Sequence, residues 1–173
     1  MIAAAPHEFA KELLEKYGNE IPVDVYQIAK GEGVLVEEVE LEPSVSGFLV
    51  VKGTKDVVLG VNKDQHPYRK RFTVAHELGH FLFHGAESAS NVMTGEGKFV
   101  YFRDEASETG EIEHERKANQ FAADLLMPKE LLKDMVTSKI RMTDETTIRR
   151  LALKFDVSFT AMSIRLSALR MLQ

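Results

Sequence analysis

Residues 76–80 read His-Glu-Leu-Gly-His, and two histidines four apart serve one purpose together only on a helix. At 3.6 residues per turn the imidazoles of His76 and His80 stand about 40° apart, so both can converge on one ion, while Glu77 is turned about 100° from His76. The surrounding segment is helical on independent grounds. His66-Pro67 breaks the chain, an apolar pattern then continues to about His84, and Gly85 is expected to end it. Val74, Ala75, Leu78 and Leu82 lie opposite the histidines and Phe72 and Phe83 flank them, so the helix is apolar nearly all round and is predicted to be buried. A buried His-Glu-His cluster needs compensation. Two core histidines satisfied by backbone, with the glutamate in a salt bridge, would supply it, but this spacing on a buried helix favours a metal.

A catalytic zinc site takes three protein ligands and keeps one position open. His84 is excluded by distance, because two i,i+4 steps carry it roughly 12 Å beyond His76 along a straight helix. It reads as a helix-end histidine near the C-terminal dipole. A better donor lies on the second strong helical pattern, residues 111–127, whose apolar face is set by Ala118, Phe121, Ala122, Leu125 and Leu126. Glu115 falls about 50° from the centre of that face, whereas Glu113 and Asp124 point away. An acid aimed at a core is costly unless a cation neutralises it, which makes Glu115 the expected third ligand, with Glu111 as its competitor one turn earlier. Asn119 lies one turn after Glu115 on the same side, where its amide oxygen can accept the free ring N–H of a ligand histidine. Its plainer reading is a packing amide.

The rest of the chain reads as scaffold. Apolar residues at spacings of three and four predict a helix over Pro6–Tyr17, closed by Gly18, and Asp24 caps a second that Gly31 and Gly33 stop. Extended runs begin at Val34 and occupy residues 47–51 and 57–61, the last two flanking a Gly-containing hairpin loop. Residues 86–110 read as a long loop with a possible strand at 98–102. Pro128 ends the second strong helix and opens another through Leu131, Leu132 and Val136. No later apolar run approaches membrane-spanning length, and the N-terminus lacks the pattern of a signal peptide. With no cysteine the chain has no disulfide framework and no thiolate chemistry, so a cytoplasmic location is expected.

The matching stretches Arg71-Phe72-Thr73-Val74-Ala75-His76-Glu77-Leu78-Gly79-His80 and Glu115-Arg116-Lys117-Ala118-Asn119-Gln120-Phe121-Ala122-Ala123-Asp124-Leu125-Leu126-Met127-Pro128 resemble the ImmA/IrrE-type metallopeptidases of bacteria and their mobile elements. The likeness extends more weakly through Pro22-Val23-Asp24-Val25, Gly47-Phe48 and residues 151–166. It implies a zincin-like fold, one Zn2+ held by His76, His80 and Glu115, and Glu77 as general base. Mn2+ or Fe2+ suits a nitrogen and oxygen site of this kind as well. In gluzincins the residue four after the ligand glutamate is commonly aspartate; the uncharged Asn119 here looks like this family's own form. Two neutral imidazoles and a carboxylate leave such a site about +1, enough to acidify a water, and Glu77 can take its proton and return it to the departing amine. Tyr101 and His114 are candidates for an oxyanion donor, and the strand at residues 47–51 for pairing with an extended substrate.

The whole chain is therefore expected to be α+β: a small antiparallel three-stranded sheet packed on an active-site helix and a ligand helix, followed by a helix-turn-helix-like segment. Residues 1–138 form the metallopeptidase domain in this reading, and residues 139–173 a helical extension packed on it. The net charge of −5 disfavours a general nucleic-acid grip, yet residues 139–173 carry seven basic against three acidic residues. Arg149, Arg150, Arg165 and Arg170 are of the type phosphate contacts require, but the second helix opens with Phe159, Thr160, Ala161 and Met162, poor in base-reading groups. DNA binding through the tail is disfavoured. The resemblance implies a protein partner instead, a helix-turn-helix repressor of the Cro/CI type, whose cleavage relieves repression during stress or transfer of mobile DNA. The competing reading is a regulatory zinc protein that controls the repressor by binding without cutting it.

Overall fold

The computed structural model describes residues 5–52, 56–88, 98–100 and 108–173. Seven helices and four strands follow in the order α1 (Pro6–Tyr17), α2 (Val25–Gly31), β1 (Val34–Val39), β2 (Gly47–Lys52), β3 (Asp56–Asn62), α3 (Pro67–Ser88), β4 (Lys98–Val100), α4 (Glu108–Leu126), α5 (Lys129–Met135), α6 (Glu145–Phe155) and α7 (Phe159–Ala168) among the described residues. Local signals account for the ends. Asp24 accepts from the Gln27 amide, Asp144 from Thr147 and Ser158 from Ala161, each satisfying an amide that the first helical turn leaves unpaired. One expected stop fails: α3 runs through Gly85 to Ser88. A single glycine costs a helix only about 1 kcal/mol, and without a left-handed turn it does not terminate one.

The sheet is mixed, which corrects the antiparallel arrangement expected from the sequence. Its order is β1-β3-β2-β4, with β3 antiparallel to β2 in a hairpin and parallel to β1, while β4 adds three residues to the far edge of β2. The cause lies in the strands' composition. β3 is buried along almost its whole length and takes the centre; β1 carries exposed Leu35, Glu37 and Glu38 and suits an edge. Val34 pairs with Val57 and Leu49 with Leu59, so alternate residues of neighbouring strands share one face and build a common apolar layer with Val61. Helix α3 packs against β2 and β3, and α4 lies on α3 and α1.

The β1–β2 connection is organised by one buried amide. Asn62 donates to the carbonyls of Leu41, Glu42 and Val45 and accepts from the Asp64 amide, so the end of β3 holds the loop that leads into Gly47. Gly47 then passes so close to α3 that a Cβ there would meet the Thr73 methyl group. The hydrophobic core continues into the C-terminal helices, where Ile148, Phe155, Met162 and Leu166 are buried in the same cluster as Leu78 and Leu125.

Candidate metal centre

Burial of Val74, Ala75 and Leu78 orients α3 so that His76 and His80 face α4, whose own buried residues Ala118, Phe121 and Ala122 face back. Across this contact His76 meets Asn119 and Glu115, and His80 meets Glu115. Their approach depends on Gly79, which stands against Ala118 and the ring of Phe121 with no room for a side chain. Phe83 closes the next turn, edge-on to Phe121 at 5.4 Å between ring centroids.

Within this contact the Nε2 atoms of His76 and His80 are 3.0 Å apart, and the Glu115 carboxylate lies 3.3 Å from the first and 3.1 Å from the second. One ligand atom from each residue falls within 4.8 Å of the others. Tetrahedral zinc with bonds of about 2.0–2.1 Å separates its nitrogen and oxygen donors by about 3.3 Å, so the triangle has the dimensions of a first shell. The chemistry agrees: His76 Nδ1 lies 3.1 Å from Asn119 Oδ1, which can accept a proton carried on Nδ1, the tautomer that turns Nε2 toward an ion. The donor set, two imidazole nitrogens and a carboxylate, fits one divalent ion.

Glu115 sits at the rim of the apolar face, its side chain 46% exposed, rather than inside the core. It is therefore less desolvated than its position on the helical wheel implies. Glu77 follows His76 on α3, and burial first, then the negative charge of Glu115, push its carboxyl up to about 7. His114 is half-buried beside Glu115. Tyr101 and the side chains of His84 and Glu111 lie outside the described residues.

Two features escape a reading by residue type. Gly79 carries no donor and gives no sign that it sets the helix separation, although a glycine inside an apolar helix is the usual mark of close packing. Arg165, counted with the basic tail, is buried and pairs with Asp124 at 2.6 Å, so it is not available to a phosphate. Arg149 is also engaged, by Glu145 and by the face of Phe159.

No curated protein is significantly similar to the chain. A solved Mycobacterium tuberculosis transcriptional regulator shares its fold, with a TM-score of 0.62 at 18% sequence identity; the match covers 94% of this chain but 46% of that one. The chain thus spans less than half the length of this structural neighbour. Residues 29–167 match the model of the IrrE N-terminal-like domain, Peptidase_M78, a match that takes in α3, α4 and most of α7 together. On that match, the chain belongs to the Peptidase_M78 family.

Proposed function

We propose that the chain is a zinc-dependent endopeptidase, with His76, His80 and Glu115 as metal ligands, Glu77 as general base and Asn119 fixing the His76 ring. The observation that carries this reading is the triangle of donors at 3.0, 3.1 and 3.3 Å beside a buried carboxyl group. A zinc ion held there supplies a Lewis acid that polarises a peptide carbonyl and acidifies a water. Glu77 takes the proton from the attacking water and returns it to the departing amine. A carboxyl group beside the donor triangle can accept that proton and then donate it. Asn119, by accepting a proton from Nδ1 of His76, would fix the tautomer whose Nε2 binds the ion.

The substrate in this proposal is an extended segment of a helix-turn-helix repressor of the Cro/CI type, cut in the cytoplasm. The strand at residues 47–51, which passes beside Thr73 one turn before Glu77, is the candidate for pairing with an extended substrate. Residues 139–173 act as a helical extension of the peptidase core, not as a DNA reader, in keeping with the buried pairing of Arg165. Glu77→Gln tests the enzyme directly. The variant is expected to retain zinc and to lose cleavage of a Cro/CI-type repressor that the wild type cuts. Cleavage at the wild-type rate would overturn the assignment of the base, and regulation unchanged in a variant that no longer cuts would favour the non-cleaving regulatory zinc protein.

A further inference from the structure

Two buried arginines lie outside the donor triangle, and each ties one ligand helix to the α6–α7 pair. Arg71 of α3 donates from Nε to the Asp156 carbonyl at 3.1 Å and from Nη2 to the Val23 carbonyl at 3.0 Å, with the Asp156 carboxylate 3.2 Å from Nε. Asp156 is the left-handed residue, at φ 54°, that turns α6 into α7. Arg165 of α7 reaches the other ligand helix, donating from Nε to the Met127 carbonyl at 3.0 Å and from Nη2 to the Asp124 carboxylate at 2.6 Å; Gln120 donates to the second Asp124 oxygen at 2.9 Å. One helical pair therefore grips α3 through its turn and α4 through its second helix.

The grips are placed alike relative to the donors. Arg71 precedes His76 by five residues on α3, and Asp124 follows Asn119 by five on α4. At 1.5 Å per residue, each anchor lies roughly 7.5 Å along its own helix from the contact of His76 with Asn119. The contact of Gly79 with Ala118 and the Phe121 ring sets how near the helices come, but it is apolar and carries no directional bond along the axis. Sliding is the motion that would carry Glu115 past His80 and break the triangle. Coordinating groups need placement to within about 0.5 Å, finer than an apolar contact alone enforces.

We propose that Arg71 and Arg165 are positioning residues for the metal centre, and that the α6–α7 pair is the brace that fixes the axial register of α3 against α4. The proposal rests on the metal reading above and goes beyond it, because it makes metal affinity depend on residues that touch neither metal nor substrate. Each arginine is satisfied at several points by carbonyls and a carboxylate, the pattern of a group that fixes geometry and not merely charge.

The test is zinc affinity of the full chain, measured by competition with a chromophoric chelator, alongside circular dichroism and thermal unfolding. Arg165→Met is expected to weaken zinc about tenfold or more while helical content is kept, the size of effect that outer-shell partners of a metal site have on affinity. Arg165→Lys, which keeps the charge beside Asp124 but lacks the planar fork, is expected to recover part of the loss. Asp156→Gly removes one carboxylate at a left-handed position that glycine accepts, so it should fold and weaken zinc several-fold. Val34→Ala, a core truncation on β1, serves as control: it lowers the unfolding temperature but leaves zinc affinity unchanged. Should Arg165→Met fail to fold, Arg165→Lys and Asp156→Gly decide the matter. Wild-type affinity in folded brace variants, or an equal loss in Val34→Ala, would overturn the brace and leave the metal centre standing. A wild-type chain that binds no zinc would overturn the metal reading and the brace with it.

Discussion

Gly79 and Ala118 bring α3 and α4 together almost backbone to backbone: a Cβ built on Gly79 would stand 3.3 Å from the Ala118 Cα and 2.9 Å from the Phe121 ring. Both neighbours are fully buried and cannot yield easily. Glu115 reaches the histidines because of this contact.

Gly79→Ala therefore separates two opposing effects. Alanine favours an isolated helix over glycine by about 1 kcal/mol, whereas overpacking a tight core costs about 1–3 kcal/mol. The second is expected to win, lowering the unfolding temperature and weakening zinc about tenfold in a chelator competition. A more stable variant with unchanged zinc affinity would show that the helices have room to spare.

Asn119 bears on the His76 ring alone among the proposed ligands, through the 3.1 Å contact at Nδ1. Asn119→Ala is expected to lower zinc affinity about 10–100-fold with little change in stability, and Asn119→Asp to restore or strengthen binding by adding charge behind the ring. Isothermal titration of the three proteins checks the order.

Glu77 gives the metal-free protein a distinctive pH dependence. Its carboxyl has a model value of 4.5 and is pushed up to about 7 in the folded chain, so folding favours the protonated form. That contribution is fully present below 4.5 and is lost as pH rises through 7. Urea denaturation in the presence of a chelator is expected to show the wild type losing more stability between about pH 5 and about pH 8 than Glu77→Gln does. Parallel curves for the two proteins would place the shift elsewhere.

Asn62 offers a test of the scaffold. Three carbonyls of the β1–β2 loop depend on its amide, and Asn62→Ala leaves them without that donor at a buried position. A loss of about 1–3 kcal/mol is expected from thermal or urea unfolding. A neutral result would mean that the loop finds other partners.

The ligand helices were the most legible part of the sequence, because a helix carrying donors needs a regular spacing and a buried face, and both are written in consecutive residues. The positions of Glu115 and Asn119 follow from the same periodicity. The partners of a strand are not written locally: that β1 would join β3 in parallel depends on β3 being the strand buried on both faces, a property of the assembled core. Arg165 illustrates the same limit. Beside Arg149, Arg150 and Arg170 it reads as one more basic residue of a tail, and only the fold carries it to Asp124, forty-one positions away in the chain.

Metal content measures the proposed centre most directly. Purified protein, stripped and then dialysed against zinc, is expected to hold one zinc per chain by elemental mass spectrometry, with a first shell of two histidine nitrogens and a carboxylate oxygen by X-ray absorption; His80→Ala and Glu115→Ala each lose it. A wild-type chain that takes up no zinc, or variants at residues 80 and 115 that retain the full complement, would contradict the assignment.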